Sequence, residues 1–372
     1  MRKTDGNRSG TAQQRDAGDN VIQPAPNNVN SRTATTMTPS IRQWQRPAMD
    51  QAPPRADTIP VNAQVIIDEA RRRGISIEIH NAEQGMFALR LAGRTIACHE
   101  SLTDLTSAIA MTRCSDKRIL HSTLVASGIA TPDQQVVESA EQAQDFLFEH
   151  RRIVLKPARS GPENQAYIDL RTPDAINTAF AALSSTTDSI IAQPWHDGEN
   201  LRLVVINKQI VAAGVRQAAS ISGDGVRTIQ QLIEREDQSR QHATQGESSI
   251  ALDAETRRCV TDAGYQMHDV LPYARQLDVR RAATLQSGGV MRDVTGQLPP
   301  ALEQQALQAA EQTGLQVAGI DMLIEDLDAA QGWVLDVTER PSLTNHDSQP
   351  VVEHFMNLLF PQTQMSGPLH RA

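Results

Sequence analysis

The first 58 residues show no periodic apolar pattern, so any folded core has to come from residue 59 onward. The segment is rich in Asn, Gln, Thr, Pro, Arg and Asp and has few apolar side chains. Such a stretch buries too little surface to offset its ordering entropy and reads as a disordered tail. At 372 residues the chain still has room for one large domain or two to three small ones. Aromatic residues make up only 3% of it, so aliphatic side chains must build most of the core. The net charge of -9 argues against non-specific nucleic-acid binding, which needs a basic face. A nucleotide site stays open, because a few local lysines and arginines suffice there. Cys98, Cys114 and Cys259 are an odd, sparse set that fits neither a disulfide framework nor a zinc motif. They read as inert buried thiols, and a cytoplasmic setting is expected. No run approaches the ~18 apolar residues of a membrane span. Met1-Arg2-Lys3 leads into a polar stretch rather than an apolar one, so a secretory signal is not expected.

Order begins near Pro60. NAQVIIDEARRRG carries helical apolar spacing and stops at Gly74. ISIEIH alternates as a strand, MFALRLAGRTIAC reads as a hairpin, and DLTSAIAMTRC as a helix. A second unit runs from SDKRILHSTLVASG through the helix SAEQAQDFLFEH, the strand RRIVLKP, the helix TPDAINTAFAALSS and the strand SIIAQPW. Ser139 and Thr172 are candidate helix caps, with Pro173 at a first helical position. The third unit opens with the hairpin LRLVVINKQIVAAGVRQ and the helix RTIQQLIEREDQSR. Residues 236–250 are polar and read as a loop. Strands around Gly288-Gly289, the helix PPALEQQALQAAEQTG, the strands LQVAGIDMLIED and GWVLDVTERPS, and the helix PVVEHFMNLLF complete it. This is a mixed α/β and α+β pattern.

Chemistry concentrates at strand ends. Lys156 ends one strand, and Asp321 and Asp336 lie on two consecutive strands, the second opened by Trp333. Carboxylates on adjacent strands can meet on one face and suit hard Mg²⁺, which prefers oxygen ligands. Arg202, Arg216, Arg280 and Arg281 add donors for phosphate or carboxylate oxygens. His99, Glu100 and His196 read as surface turn residues.

The ordered set DKRILHSTLVASGIATPDQ, VLKP, QPWHDGENLRLVVINKQIVAAGVR, SGDGVRTIQQLI, RRAATLQSGG, GIDMLIED and WVLDVTERPSLTNH resembles the ATP-grasp carboxylate–amine ligases, over about residues 60–361. SGDGVRTI is similar to the branch holding cyanophycin synthetase and the bifunctional glutathione enzyme. ESLTDLTSAIAMTRCSDK and ERPSLTNHDSQPVVEHFMNLLFP resemble the ligase portion of N-acetylglutaminylglutamine synthetase. The resemblance implies two α+β subdomains gripping ATP, at 114–197 and 198–362. A small α/β domain at 59–113 and the disordered tail at 1–58 precede them, and a short tail at 363–372 closes the chain.

It also implies roles. Lys117 and Lys156 reach the nucleotide phosphates, the adenine hinge falls on Gln193-Pro194-Trp195, and Glu199 meets the ribose. Arg202 matches the arginine of a G-x-x-x-R segment, and Arg281 one that steadies the transferred phosphate. Asp321, Asp336 and Thr338 fall at the positions that hold Mg²⁺, with Mn²⁺ as an alternative ion. Ser287, Gly288, Gly289, Arg216 and Asn345 fall near the substrates, a small amino acid or dipeptide. No membrane or nucleic-acid partner is implied, and a homodimer is compatible. The chain departs from the family in four places. Asp336 replaces Glu, Thr338 and Thr284 replace Asn, and SGPENQA replaces a glycine-rich loop over the γ-phosphate, with Pro162 removing a backbone donor. Two readings remain: an active ligase, or an impaired ATP-grasp protein that binds a nucleotide, peptide or partner.

Overall fold

The computed structural model describes residues 59–159, 166–243, 248–281, 283, 287–344 and 350–364. The expected N-terminal tail, residues 160–165 of SGPENQA, Thr284, Asn345 and the closing tail after residue 364 lie outside these residues. All described residues belong to one compact unit, Pro53–Ala372.

Helix α1 (Val61–Arg72) buries Ala63, Ile66, Ile67 and Ala70, the i, i+3, i+4, i+7 stripe of an amphipathic helix. Strands β1 (Ser76–Asn81), β2 (Met86–Leu91), β3 (Arg94–His99) and β4 (Leu102–Thr103) form an antiparallel meander in that order. Helix α2 (Ala108–Ser115) comes next, capped by Ser107, whose side chain accepts from the Ala110 N–H at 3.1 Å.

Helix α3 (Lys117–Ala126), strand β5 (Gln135–Val137), helix α4 (Ala140–His150), strands β6 (Ile153–Pro157) and β7 (Tyr167–Leu170), helix α5 (Pro173–Ser184) and strand β8 (Ile190–Pro194) form the second group. The strands make an antiparallel sheet in the order β5-β8-β6-β7. Ser139 and Thr172 cap α4 and α5, as their sequence positions suggest.

The largest sheet uses β9 (Glu199–Ile206) and β10 (Gln209–Gln217) from the hairpin; β11 (Ser220–Ser222) and helices α6 (Ile229–Ala243) and α7 (Ala254–Asp262) intervene. Then come β12 (Gln276–Asp278), β13 (Val290–Asp293), α8 (Pro300–Thr313), β14 (Val317–Ile324), β15 (Trp333–Thr338) and α9 (Val351–Leu359). The sheet order is β13-β10-β9-β14-β15, all antiparallel. Leu201, Leu203 and Val205 on one face of β9 pack with Leu302, Ala306 and Ala309 of α8. Val204 and Ile206 on the other face pack with Ile66 of α1 and Phe355, Met356 and Leu359 of α9.

The structure corrects one expectation here and adds one helix. The stretch 236–250 is not all loop, because α6 continues to Ala243. Its buried anchors, Ile229, Leu232 and Ile233, all lie in the first turns, which leaves the later turns polar and without an apolar stripe to read. Helix α7 carries no sequence expectation, since only Thr256, Cys259 and Val260 of its nine residues are buried.

Candidate active site

The sheet places its charged side chains in register. Asp321 on β14 pairs directly with Arg202 on β9 and with Asp336 on β15. Side chains opposite each other on antiparallel strands lie on one face, with Cβ atoms roughly 4.5–5.5 Å apart. The register slips between Asp321 and Met322, leaving Leu335 without a ladder partner. Such a bulge re-aims side chains beside a site, and here Leu335 lines the neighbouring cleft. Arg202, only 7% exposed, donates from Nη1 to Asp321 Oδ2 at 2.8 Å, with Thr338 Oγ1 at 3.5 Å. Arg216 Nη1 approaches the other oxygen, Oδ1, at 2.9 Å without hydrogen-bond alignment. Asp321 Oδ1 is therefore a buried acceptor that no donor among the described residues satisfies. Burial pushes the Arg216 guanidinium below its ordinary range despite Asp321.

Two lysines reach the same region from the smaller sheet. Lys117 opens α3, whose cap Asp116 accepts from the Arg118 N–H at 3.0 Å. The Lys117 N–H donates to Ala158 O at 2.8 Å, which fixes the helix start against the end of β6. Its ammonium stands 3.3 Å from Asp336 Oδ2. Lys156 on β6 donates to Gln193 Oε1 at 2.6 Å. Burial pushes the Lys156 amine down to about 8, with Asp336 raising it and Lys117 lowering it further. Lys117, Lys156 and Asp336 thus act on one another.

A cleft of about 950 Å³ opens beside them. Lys156, Gln193, Trp195, Arg216, Arg281 and Ser287 line it, with Val154, Ile168, Leu323 and Leu335 as apolar walls. Trp195 is held by its N–H donating to Arg152 O at 2.9 Å and its indole donating to Asp197 at 3.2 Å. His196 is not a solvated turn residue; its ring stacks on Trp333 with centroids 4.5 Å apart. Gly288 has φ +82, and a Cβ there would stand 2.5 Å from Ile250, so the turn carrying Ser287 needs glycine on both counts. Gly289 is buried next to it.

Two expected residues sit differently. Glu199 does not line the cleft; Asn200 does, because successive strand residues face opposite ways. The Asn200 Oδ1 is buried with no hydrogen-bond donor among the described residues. Arg281 lines the cleft, yet its guanidinium is held on both sides. Nη1 lies 2.5 Å from Asp169 Oδ2 on β7, and Nη2 lies 2.8 Å from Asp262 at the end of α7. Asp169 is fully buried with φ +54 and also accepts from Arg152 at 2.8 Å and Arg171 at 2.8 and 3.0 Å. Burial opposes its charge, but Arg171, Arg152 and Arg281 hold the carboxyl below its ordinary range. His99 and Glu100 are not idle surface residues either, since Arg340 Nη1 lies 2.6 Å from His99 Nε2 and 4.0 Å from Glu100.

No family model matches the chain. Among curated proteins it is 26% identical over 329 residues to cyanophycin synthetase of Geminocystis herdmanii, covering 82% of this chain and 37% of that one. It is 24% identical over 305 residues to the glutathione biosynthesis bifunctional protein GshAB of Desulfotalea psychrophila, covering 77% and 38%. A crystal structure of a bifunctional glutathione synthetase from Pasteurella multocida superposes with a TM-score of 0.58 at 17% identity, over 82% of this chain and 44% of that one. The chain shares the ATP-grasp fold and is similar in sequence to these ligases. It spans less than half the length of these relatives. Asn200 at the cleft, Asp169 against Arg281 and Arg340 against His99 carry no sequence expectation. Arg340 lies two residues beyond the end of β15.

Among the described residues no three His, Cys, Asp or Glu side chains cluster as a metal cage. The donor set nevertheless fits a hard divalent cation that keeps several waters. It offers two register-opposed carboxylates, one with an unsatisfied buried oxygen, and a nearby Thr338 hydroxyl. No helix among the described residues is long and apolar enough to cross a membrane.

Proposed function

We propose that the chain is an ATP- and Mg²⁺-dependent carboxylate–amine ligase acting on a small amino acid or dipeptide. The observation carrying this reading is the convergence of Lys117 on Asp336 and of Arg202 and Arg216 on Asp321, beside a cleft lined by Lys156. The relatives' names, cyanophycin synthetase and glutathione biosynthesis protein, point to the same reaction class. The likeness of two segments to N-acetylglutaminylglutamine synthetase favours amino-acid or dipeptide substrates. In this reading 114–197 and 198–362 are the gripping subdomains and 59–113 a preceding domain. The buried thiols Cys98, Cys114 and Cys259, the first two pushed up to about 12 and the third to about 11 by burial, suit a cytoplasmic enzyme.

The reaction transfers the γ-phosphoryl group of ATP to a substrate carboxylate; the amine then attacks the acyl phosphate, giving an amide, ADP and phosphate. Asp321, Asp336 and Thr338 would hold Mg²⁺, which neutralises phosphate charge when bound. Lys117 and Lys156 place positive charge beside the transferred group. The Trp195 hinge and the walls Val154, Ile168, Leu323 and Leu335 take the adenine, and Asn200 replaces Glu199 as acceptor for a ribose hydroxyl. Arg281 reaches phosphate only by leaving Asp169 or Asp262.

The test is Mg²⁺-dependent ADP release across a panel of amino acids and dipeptides, with ATP binding measured separately. Turnover with one acceptor supports the ligase. Binding without turnover supports a nucleotide-binding module instead, a reading favoured by Pro162, which removes a backbone donor from the segment SGPENQA, and by the double engagement of Arg281.

The Lys156 amine gives this site a pH signature. It is charged below about 8 in the free protein and loses its proton as pH rises through that value. Phosphate binding favours the charged form, so ATP affinity is expected to fall up to tenfold per pH unit above 8. Proton uptake should accompany binding there. Calorimetry in buffers of different ionisation enthalpy checks this, and Lys156→Met should lack the pH limb. A flat affinity between pH 7 and 9.5 in the parent protein would remove Lys156 from the phosphate contacts.

A further inference from the structure

We infer that Gly319 is a positioning residue, its missing side chain providing the space in which the Arg202 guanidinium lies. Gly319 sits two residues before Asp321 on β14, on the same face, and pairs with Val204 of β9 and Thr338 of β15. Arg202 starts opposite Asp321 and runs diagonally across Gly319 toward Thr338. A Cβ built on Gly319 would stand 2.0 Å from Arg202 Nη2, 2.4 Å from Cζ and 3.0 Å from Nη1. Separations under 3.0 Å are not tolerated by a real Cβ.

The backbone gives no other reason for glycine, because Gly319 has no positive φ and lies in the middle of a regular strand. A glycine there otherwise costs strand stability. Nor can Arg202 yield freely. It is buried, and its Nη1 is fixed at 2.8 Å from Asp321 Oδ2 and 3.5 Å from Thr338 Oγ1. A methyl group at 319 therefore lifts the guanidinium off the strand and breaks one or both contacts. Asp321 then loses the donor that fixes its carboxylate, and its other oxygen has no aligned donor to replace it.

The catalytic arm of this inference rests on the ligase reading; the steric arm does not. The experiment is a double-mutant cycle of Gly319→Ala, Arg202→Lys and both together. Lysine lacks the planar fork that overlies Gly319. Thermal unfolding without ligand is the first readout. Gly319→Ala should melt below the parent, and the double variant should melt no lower than Arg202→Lys. The second readout is the Mg²⁺ midpoint for ADP binding, by calorimetry. It should rise about tenfold in Gly319→Ala and no further in the double variant than in Arg202→Lys. Where turnover is present, Gly319→Ala should lower kcat on the order of 10²-fold, the penalty for a misplacement of about 1 Å.

Additive losses in the melting cycle overturn the inference, as does a Gly319→Ala protein that melts and binds like the parent. A double variant that fails to fold while Arg202→Lys folds overturns it too. Melting losses that cancel while the Mg²⁺ midpoint stays put leave a packing glycine and sink the positioning role. A parent protein that binds no nucleotide ends the ligase reading, and the ligand-free cycle still decides whether Gly319 makes room for Arg202.

Discussion

Asp321→Asn is expected to cut Mg²⁺-dependent ADP release by 10²–10³-fold, the cost of losing one positioned charged group in a water-poor site. The reason is geometric. Asp321 stands between Arg202 and Asp336 in the strand register, and two arginines converge on it. The amide keeps the shape but removes the charge and replaces one acceptor oxygen with a donor. That donor would face either the Arg202 or the Arg216 guanidinium. The Mg²⁺ midpoint should rise along with the loss of rate, and Mn²⁺ should recover part of it. A steady-state assay over a Mg²⁺ series reads both. Parent-like rates in the variant would place the metal carboxylates elsewhere.

The second large effect is on stability. Asp169→Asn is expected to lower the unfolding free energy by ~1–3 kcal/mol, because it removes the buried charge that three partly exposed guanidiniums share. Three guanidiniums end on this one fully buried side chain, at 2.5–3.0 Å. The pH dependence has a definite sign. The folded carboxyl is held below its ordinary range, so its contribution is complete above that range and is lost as pH falls through the folded value. The parent should therefore lose stability on acidification below about pH 4, the ordinary aspartate range. The variant should lack that part of the acid limb. Urea unfolding at pH 7 and pH 3 checks both, and equal stabilities of parent and variant at pH 7 would show that the arginine cluster is idle.

Much of the site was legible because its residues sit at strand ends and helix starts. Lys117 comes directly after a capping Asp, Lys156 closes an apolar run, and Asp321 and Asp336 sit in consecutive strands separated by a turn. The hidden part depends on register and on long-range contacts. Glu199 and Asn200 are neighbours, and only the pairing of β9 with β14 decides which one faces the cleft. Gly319 looks like any strand glycine until Arg202 is seen lying across it. Asp169 reads as an ordinary polar residue in YIDL, since its arginines come from the residue before β6, from the residue after its own strand and from the segment after β12. Helix α7 escaped because it shows the core only three side chains.

The stacked pair His196 and Trp333 turns the cleft into an optical reporter. Trp333 is 37% exposed, so its indole borders solvent while one ring face is covered by imidazole. His196 lines the cleft, and any occupant pressing on it will shift the overlap of the two rings. Steady-state emission of a Trp44→Phe, Trp195→Phe protein, with Trp333 as its one remaining tryptophan, should then track ligand occupancy without an attached dye.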